Sequence, residues 1–441
     1  MFFIFFIFFG FRPKFGRVKR QLNGLLGNLF GRLTRPLSQG LNNVDVTRFV
    51  QPAAAPNVCR NNEETLPCDN TSPFRKFSGW CNNLRNPTFG KTLTPFNRLL
   101  AAGYDDGIAR PRWRSVTNQP LPSPRLISVV VHQDVSNMHR RYTMMLTFFG
   151  QFLDHDVTLT PISRGFQDAI LNCRDCDSPT NVHPECWPIP IPSNDPFFPK
   201  VNLQTGRPVC MSFTRSLPGQ QRLGAREQMD MNTAYLELSH VYGQTPCESQ
   251  RLRAFTGGRM NVTISPFRGR DLLPQTSRLA ECQAASGLCF DAGDSRATEN
   301  PGLSVLHTVM LREHNRIAGQ LQSLNRQWDD ERLYMTSRKI NGAIWQHVIY
   351  NEYLPRVLGW NAINLYGLNL LTEGFYDGYD ANCNAGIFNE FSTAAYRFGH
   401  SLVRPFFPRV DASFQVTHRI SHNHDRPDNQ TCFFYFFFFL T

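Results

Sequence analysis

An apolar, aromatic run, Met144–Phe149, leads directly into GQFLDHDVTLTP (150–161), and no other stretch limits the fold as sharply. A helix advances about 100° per residue, so with Gln151 at zero, Asp154 falls at about 300°, His155 at about 40° and Asp156 at about 140°. Gln151, Asp154 and His155 therefore share one face while Asp156 looks elsewhere. The apolar approach predicts a buried helix. An amide, a carboxylate and an imidazole leaving such a helix together are costly unless each meets a partner. A solvated polar face is the plainer reading of Asp-His-Asp alone, and the run preceding it argues against that.

The rest of the chain reads as helices joined by long loops. Helical stretches are predicted at 137–159, 226–242, 301–323, 328–358 and 388–403. Leu303, Leu306, Met310 and Ile317 keep helical spacing, as do Ile340, Ile344, His347 and Val348. Strand signals are sparse and short. Segment 178–208 holds Pro179, Pro184, Pro188, Pro190, Pro192, Pro196, Pro199 and Pro208, too many for regular structure. A mainly α domain with long Pro-rich loops and few strands is the expectation. Residues 1–20 read as a signal-like or pro-segment, 21–57 as a propeptide or linker, and 58–441 as the domain.

The net charge of +11 suggests nucleic acid until its distribution is considered. Residues 1–50 carry Arg12, Lys14, Arg17, Lys19, Arg20, Arg32, Arg35 and Arg48 against Asp45 alone, leaving the remainder near balance. With no aromatic-interleaved basic stripe on that remainder, nucleic acid is not an expected partner. The opening MFFIFFIFFGF is too short to span a bilayer, and Arg17–Arg20 has the form of a dibasic processing site. The Phe runs at 1–11 and 433–440 could equally be pyrimidine tracts of the gene read as protein.

Twelve cysteines could serve zinc or disulfides. The pair Cys173 and Cys176 lacks the second close Cys or His pair that zinc sites use, so disulfides in an oxidising compartment are the better reading. Sequons at Asn70, Asn261 and Asn429 agree with a secreted, extracellular chain.

Three further runs join the first. AGDSRATE (292–299) sets Arg296 and Glu299 three apart before a helix. YRFGHSL (396–402) places His400 after a glycine near a helix end. DMNTAYLELSHVYG (230–243) spaces oxygen donors at every second residue from Thr233 to Ser239. Singly each is weak; a buried histidine such as His400 is more often a satisfied core residue than a ligand.

In this order, and with the flanking runs GWCNNLRNPTFG (79–90), AGYDDGIARPR (102–112), HTVMLREHNRIA (307–318), YNEYLPRVLG (350–359) and FSTAAYRFGHSLVRPF (391–406), the chain resembles the animal haem peroxidases over roughly 59–415. The resemblance implies their helical fold and a haem b-derived cofactor. It implies that His155 is the distal histidine, Arg296 the distal arginine and Gln151 the distal glutamine that places water or halide. His400 would be the proximal ligand to the haem iron, with Arg397 on its side. Asp154 and Glu299 would be the carboxylates that form ester links to the haem. Asp156, Thr233, Tyr235 through its carbonyl, Glu237 and Ser239 would be the calcium site, Glu237 standing where aspartate is usual. Asn300 stands where the chlorinating members carry a methionine linked to haem, so that third link is not implied. Disulfides 68–81, 173–186 and 176–210 match the family and 282–289 is a looser fit; Cys59, Cys247, Cys383 and Cys432 receive no assignment.

Elementary chemistry agrees with these roles. Cleaving a peroxide O–O bond at ferric iron needs a proton to leave one oxygen and reach the other, which a neutral imidazole can do as base and then acid. An arginine stays charged and stabilises the departing oxygen. Calcium takes six to eight hard oxygens, and a site that includes Asp156 would pin the helix bearing His155. The expected function is a secreted peroxidase, with hydrogen peroxide as oxidant and small phenolic, tyrosyl or halide donors, and with extracellular matrix proteins as partners. Peroxide would oxidise the haem by two electrons and two single-electron steps would return it. Past 415 the likeness thins, so a domain incomplete at its C-terminal end is also expected. The alternative is then a catalytically impaired adhesion or matrix module. A cyclooxygenase-type dioxygenase shares the two histidines, but the calcium run and paired carboxylates argue against it.

Overall fold

The computed structural model describes residues 64–421 apart from 65, 133–134, 136, 167–168, 177–182, 266–268, 278–285, 404–405, 412 and 414. The segments 1–57 and 433–440, with Cys59, Cys282, Cys432 and Asn429, lie outside the described residues. In chain order the helices are α1 (Pro124–Val131), α2 (Met145–Val157), α3 (Ser239–Tyr242), α4 (Pro246–Arg251), α5 (Pro301–Leu324), α6 (Asp330–Val348), α7 (Leu354–Leu358), α8 (Trp360–Leu365) and α9 (Asn389–Thr393).

The two long helices form where the apolar period and the end signals coincide. At α5, Pro301 occupies the first turn and the Asn300 side chain accepts from Leu303 N at 2.9 Å. At α6, Asp329 accepts from Arg332 N at 2.8 Å, with Asp330 and Glu331 in the first turn. From α6 the chain runs through one π-helical turn, Ile349–Tyr353, into α7, and Gly359 at φ 78° ends it. The predicted helices 301–323 and 328–358 are thus present almost to the residue.

The core gathers where α2, α5 and α6 meet. Phe152, Leu153 and Val157 of α2, Leu303 and Leu311 of α5, and Tyr334 and Trp345 of α6 are all essentially inaccessible. Gly302 is what lets α5 come this close to α2, since a Cβ there would lie 2.3 Å from the Phe148 ring. Strands occur as two-residue antiparallel pairs, such as Thr94–Pro95 with Met229–Asp230, and one longer hairpin of Phe406–Val410 with Val416–Ser421. Disulfides Cys68–Cys81, Cys173–Cys186 and Cys176–Cys210 staple the loops. Cys247 is also disulfide-bonded, as is Cys289.

Three helix expectations need correction. The stretch 137–159 is helical only from Met145. Within 226–242 the backbone is helical only at Ser239–Tyr242; Leu238, at φ 60°, breaks the direction immediately before it, and 231–238 is irregular. The inward-turned oxygens of that run form side-chain and backbone contacts that a helix would not permit. The stretch 388–403 divides at Ala394 (φ −134°, ψ −60°) into α9 and a 3-10 segment, Ala395–Leu402. No helix among the described residues is long and apolar enough to cross a membrane. Asn70 and Asn261 are both exposed.

Candidate active site

A cleft opens between α2 and the 3-10 segment Ala395–Leu402. Gln151 and Asp154 line it from one side, Arg397 and His400 from the other, with Tyr353 and Tyr396 at its floor. Gly150 is required at this floor, because a Cβ there would lie 2.5 Å from the Tyr353 hydroxyl. Tyr396 Oη donates to Gly150 O at 3.2 Å, which ties the 3-10 segment to α2. Arg397 reaches across, its Nη1 lying 3.8 Å from Asp154 Oδ2 while its Nε donates to Ser392 O at 2.7 Å.

His155 is buried beside this cleft. Its Nε2 lies 3.8 Å from Glu299 Oε2, and the same carboxylate oxygen accepts from Gln151 Nε2 at 2.9 Å. Burial first, and then the charge of Arg296, hold the His155 imidazole well below its usual range, so it is neutral at pH 7. Burial likewise pushes Glu299 up to about 7, against the pull of Arg296. The His400 imidazole is driven down to about 2, chiefly by burial and then by Arg397.

Arg296 sits on the 3-10 segment Ser295–Thr298, just ahead of α5. Its guanidinium donates to both oxygens of Asp294, at 3.0 Å through Nε and 2.6 Å through Nη2, and to Thr158 O at 2.8 Å. Asp294 also caps that segment by accepting from Arg296 N at 2.7 Å. Burial works against the Asp294 charge, yet the adjoining Arg296 keeps its carboxyl far below the usual range. The sequence reading passed over Asp294; the signal available was a carboxylate two residues before an arginine at a helix start.

Asp156 faces away from the cleft, as the wheel predicts. Its Oδ1 accepts from Ser239 N at 2.7 Å and lies 3.1 Å from His240 Nδ1; its Oδ2 accepts from Trp345 Nε1 at 2.8 Å. Ser239 Oγ donates to Asp156 O at 2.8 Å. Thr233 Oγ1 donates to Tyr235 O at 3.4 Å, and the Thr233 side chain and the Asp156 charge both act on the Glu237 carboxyl. The five residues of the expected calcium set are therefore neighbours. Glu237 is buried, its Oε1 has no hydrogen-bond partner, and burial pushes its carboxyl up, with Arg338 opposing. Two buried carboxylates among neutral oxygens, one with an orphaned oxygen, suit a hard cation. Asn82 Nδ2, at 3.3 Å from Glu237 Oε2, and Asn232 Nδ2, donating to His155 O at 2.6 Å, brace this region and were not anticipated.

The donor set also fits haem. A neutral imidazole, His400, stands on one side of the cleft, and a neutral imidazole, His155, with a fixed guanidinium adjoins the other. Asp154 lines it beside Arg397, and Glu299, hydrogen-bonded to Gln151, feels the charges of Arg296 and Arg397.

A family model for animal haem peroxidase matches residues 74–434, so the likeness starts later than 59 and, against expectation, continues past 415. Heme peroxidase 2 of Caenorhabditis elegans is 39% identical over 349 residues, covering 78% of this chain and 47% of that protein. Peroxidasin homolog of Mus musculus is 39% identical over 363 residues, covering 78% of this chain and 24% of its own length. The chain thus spans about half or less of these relatives. Among solved structures, peroxidase A from Dictyostelium discoideum superposes with a TM-score of 0.61 at 28% identity, covering 80% of this chain and 64% of that one. A fatty acid alpha-dioxygenase from Arabidopsis thaliana, at TM-score 0.56 and 15% identity, shares the fold.

Proposed function

The chain belongs to the animal haem peroxidase family, and from that premise we propose that it is a secreted enzyme that reduces hydrogen peroxide while oxidising phenolic, tyrosyl or halide donors. The observation that carries this reading is the pairing across one cleft. His400 and Arg397 line one side, Gln151 and Asp154 the other, and His155 and Arg296 stand behind the latter. Bound haem would supply the redox-active iron. His400 would hold that iron, since burial keeps the imidazole neutral and leaves one ring nitrogen with its lone pair available.

His155 moves the proton. Being neutral, it can take a proton from one peroxide oxygen and return it to the other, a role worth about 10²–10⁴ in rate. Arg296, clamped by Asp294 and Thr158 O, cannot swing away and presents fixed positive charge to the departing oxygen. Gln151 orients the small molecule that enters. Asp154 and Glu299 would form the ester links to the haem edge. Asp156, Thr233, Tyr235, Glu237 and Ser239 would hold calcium behind α2 and so fix His155 from the rear. Secretion is supported by the disulfide staples.

The test is direct. Purified, haem-reconstituted protein should show a Soret band and peroxide-dependent oxidation of a phenol. His155→Ala should keep the band and lose about 10²–10⁴ in turnover. Full turnover in that variant removes the distal assignment, and no haem uptake by the wild type favours the adhesion or matrix module.

A further inference from the structure

Asn300 makes a hydrogen bond whose direction is fixed by the backbone. Its Oδ1 accepts from Leu303 N at 2.9 Å, and a backbone N–H can only donate. The other branch of the amide, Nδ2, must then face outward, and it donates to Gln151 Oε1 at 2.8 Å. Each amide has one acceptor oxygen and one nitrogen with two donors. With its oxygen taken, Gln151 must turn Nε2 the other way, where it donates to Glu299 Oε2 at 2.9 Å. An amide orientation that is ordinarily a matter of assignment is dictated here by the start of α5.

One of the two Nε2 hydrogens goes to Glu299. The second is left for whatever enters the cleft that Gln151 lines. Were the amide reversed, a carbonyl oxygen would face Glu299 and the cleft, and an anion there would meet a lone pair instead of a donor. We propose that Asn300 is a positioning residue that locks the Gln151 amide with its N–H toward the cleft, so that the site favours anionic over neutral small ligands. Asn300 does this from a buried position outside the cleft lining and acts only through Gln151.

The assignment rests on the haem-peroxidase reading, and its test separates the two. The probes are azide, an anion, binding the ferric haem-reconstituted chain, and carbon monoxide, a neutral ligand, binding the ferrous form, both followed by the Soret shift. Asn300→Ser keeps a helix cap but removes the donor to Gln151. It should weaken azide binding by about 3- to 10-fold, the worth of one hydrogen bond, and leave carbon monoxide unchanged. Gln151→Ala should weaken azide at least as much, and the double variant should be no weaker than Gln151→Ala, because one effect passes through the other. Wild-type azide affinity in Asn300→Ser, or a double variant equal to the product of the two singles, overturns the assignment. Should Asn300→Ser fold poorly, Asn300→Asp keeps both cap and reach while demanding a reversed Gln151. Its added charge is cancelled by repeating the change in the Gln151→Ala background, where the azide penalty should shrink; an equal penalty in both backgrounds overturns the assignment. A wild-type chain that takes up no haem instead defeats the peroxidase reading itself, and this assignment falls with it.

Discussion

Behind the cleft, α2 is held from several directions at once. Asp156 takes hydrogen bonds from Ser239 and Trp345 and contacts His240, Asn232 grips the carbonyl of His155, and Gly302 brings α5 against Phe148. Across the cleft, the 3-10 segment Ala395–Leu402 is tied by Arg397 to Ser392 and by Tyr396 to Gly150, while Ser401 and Leu402 are exposed. The difference divides the labour. On the α2 side, the groups proposed to move the proton and stabilise charge are set by the fold itself, as catalysis by preorganised groups requires. The His400 side is built more lightly, and a group bound between the two would add to what orders it.

The comparison breaks if the α2 side tolerates the loss of its anchor. Asp156→Ala would leave the Trp345 indole N–H and the backbone N–H of Ser239 without acceptors in the core. A loss of about 3–5 kcal/mol in unfolding free energy is expected, as when one partner of a buried charged pair is removed. Urea unfolding measures it, and a loss under about 1 kcal/mol would show that α2 is not fixed from behind. Gly302→Ala tests the same side by crowding. A Cβ 2.3 Å from the Phe148 ring cannot be accommodated without movement, so a cost of about 1–3 kcal/mol is expected. The midpoint should shift with an unchanged denaturant slope.

This asymmetry also governs what could be read beforehand. The helices α5 and α6 were legible because their period, caps and first-turn residues agree. The wheel placing Asp156 opposite Gln151 and Asp154 was legible because it needs only helical geometry. The run 230–239 was legible as alternating oxygen donors but not as a shape, since the left-handed Leu238 and the inward-facing Glu237 follow from tertiary contacts with α2. Asp294 was passed over although its partner Arg296 is local, two residues on at a helix start. Asn300 escaped for the tertiary reason: its partner Gln151 meets it only once α5 has docked on α2, and nothing local marks a cap residue as also serving a neighbour's amide.

A smaller effect distinguishes buried histidines on the α2 side. His307 is wholly inaccessible, neither ring nitrogen has a hydrogen-bond partner, and burial holds it well below the ordinary 6.5. Below 6.5 the unfolded chain binds a proton that the folded chain refuses, so the stability present above that pH is lost as pH falls. His307→Leu removes this linkage. The variant should gain on the wild type by up to about 1.4 kcal/mol for each pH unit below 6.5, seen in urea midpoints across a pH series. Parallel curves would mean that His307 is protonated in place.

The lighter side should show the smallest change in stability together with the largest change in spectrum. His400 is buried, and its imidazole is held down to about 2, mainly by burial. A neutral ring so placed contributes at most an ordinary net hydrogen bond, about 0.5–1.5 kcal/mol. In the haem-free chain, His400→Ala should therefore move the unfolding free energy by no more than that. In the reconstituted chain the same variant should lose or displace the Soret band, because the proposed iron ligand is gone. His155→Ala should do the reverse, retaining the band. If His400→Ala costs as much as Asp156→Ala before haem is added, both sides are equally prebuilt. The contrast drawn from Asp156 and the 395–402 segment would then have no energetic content.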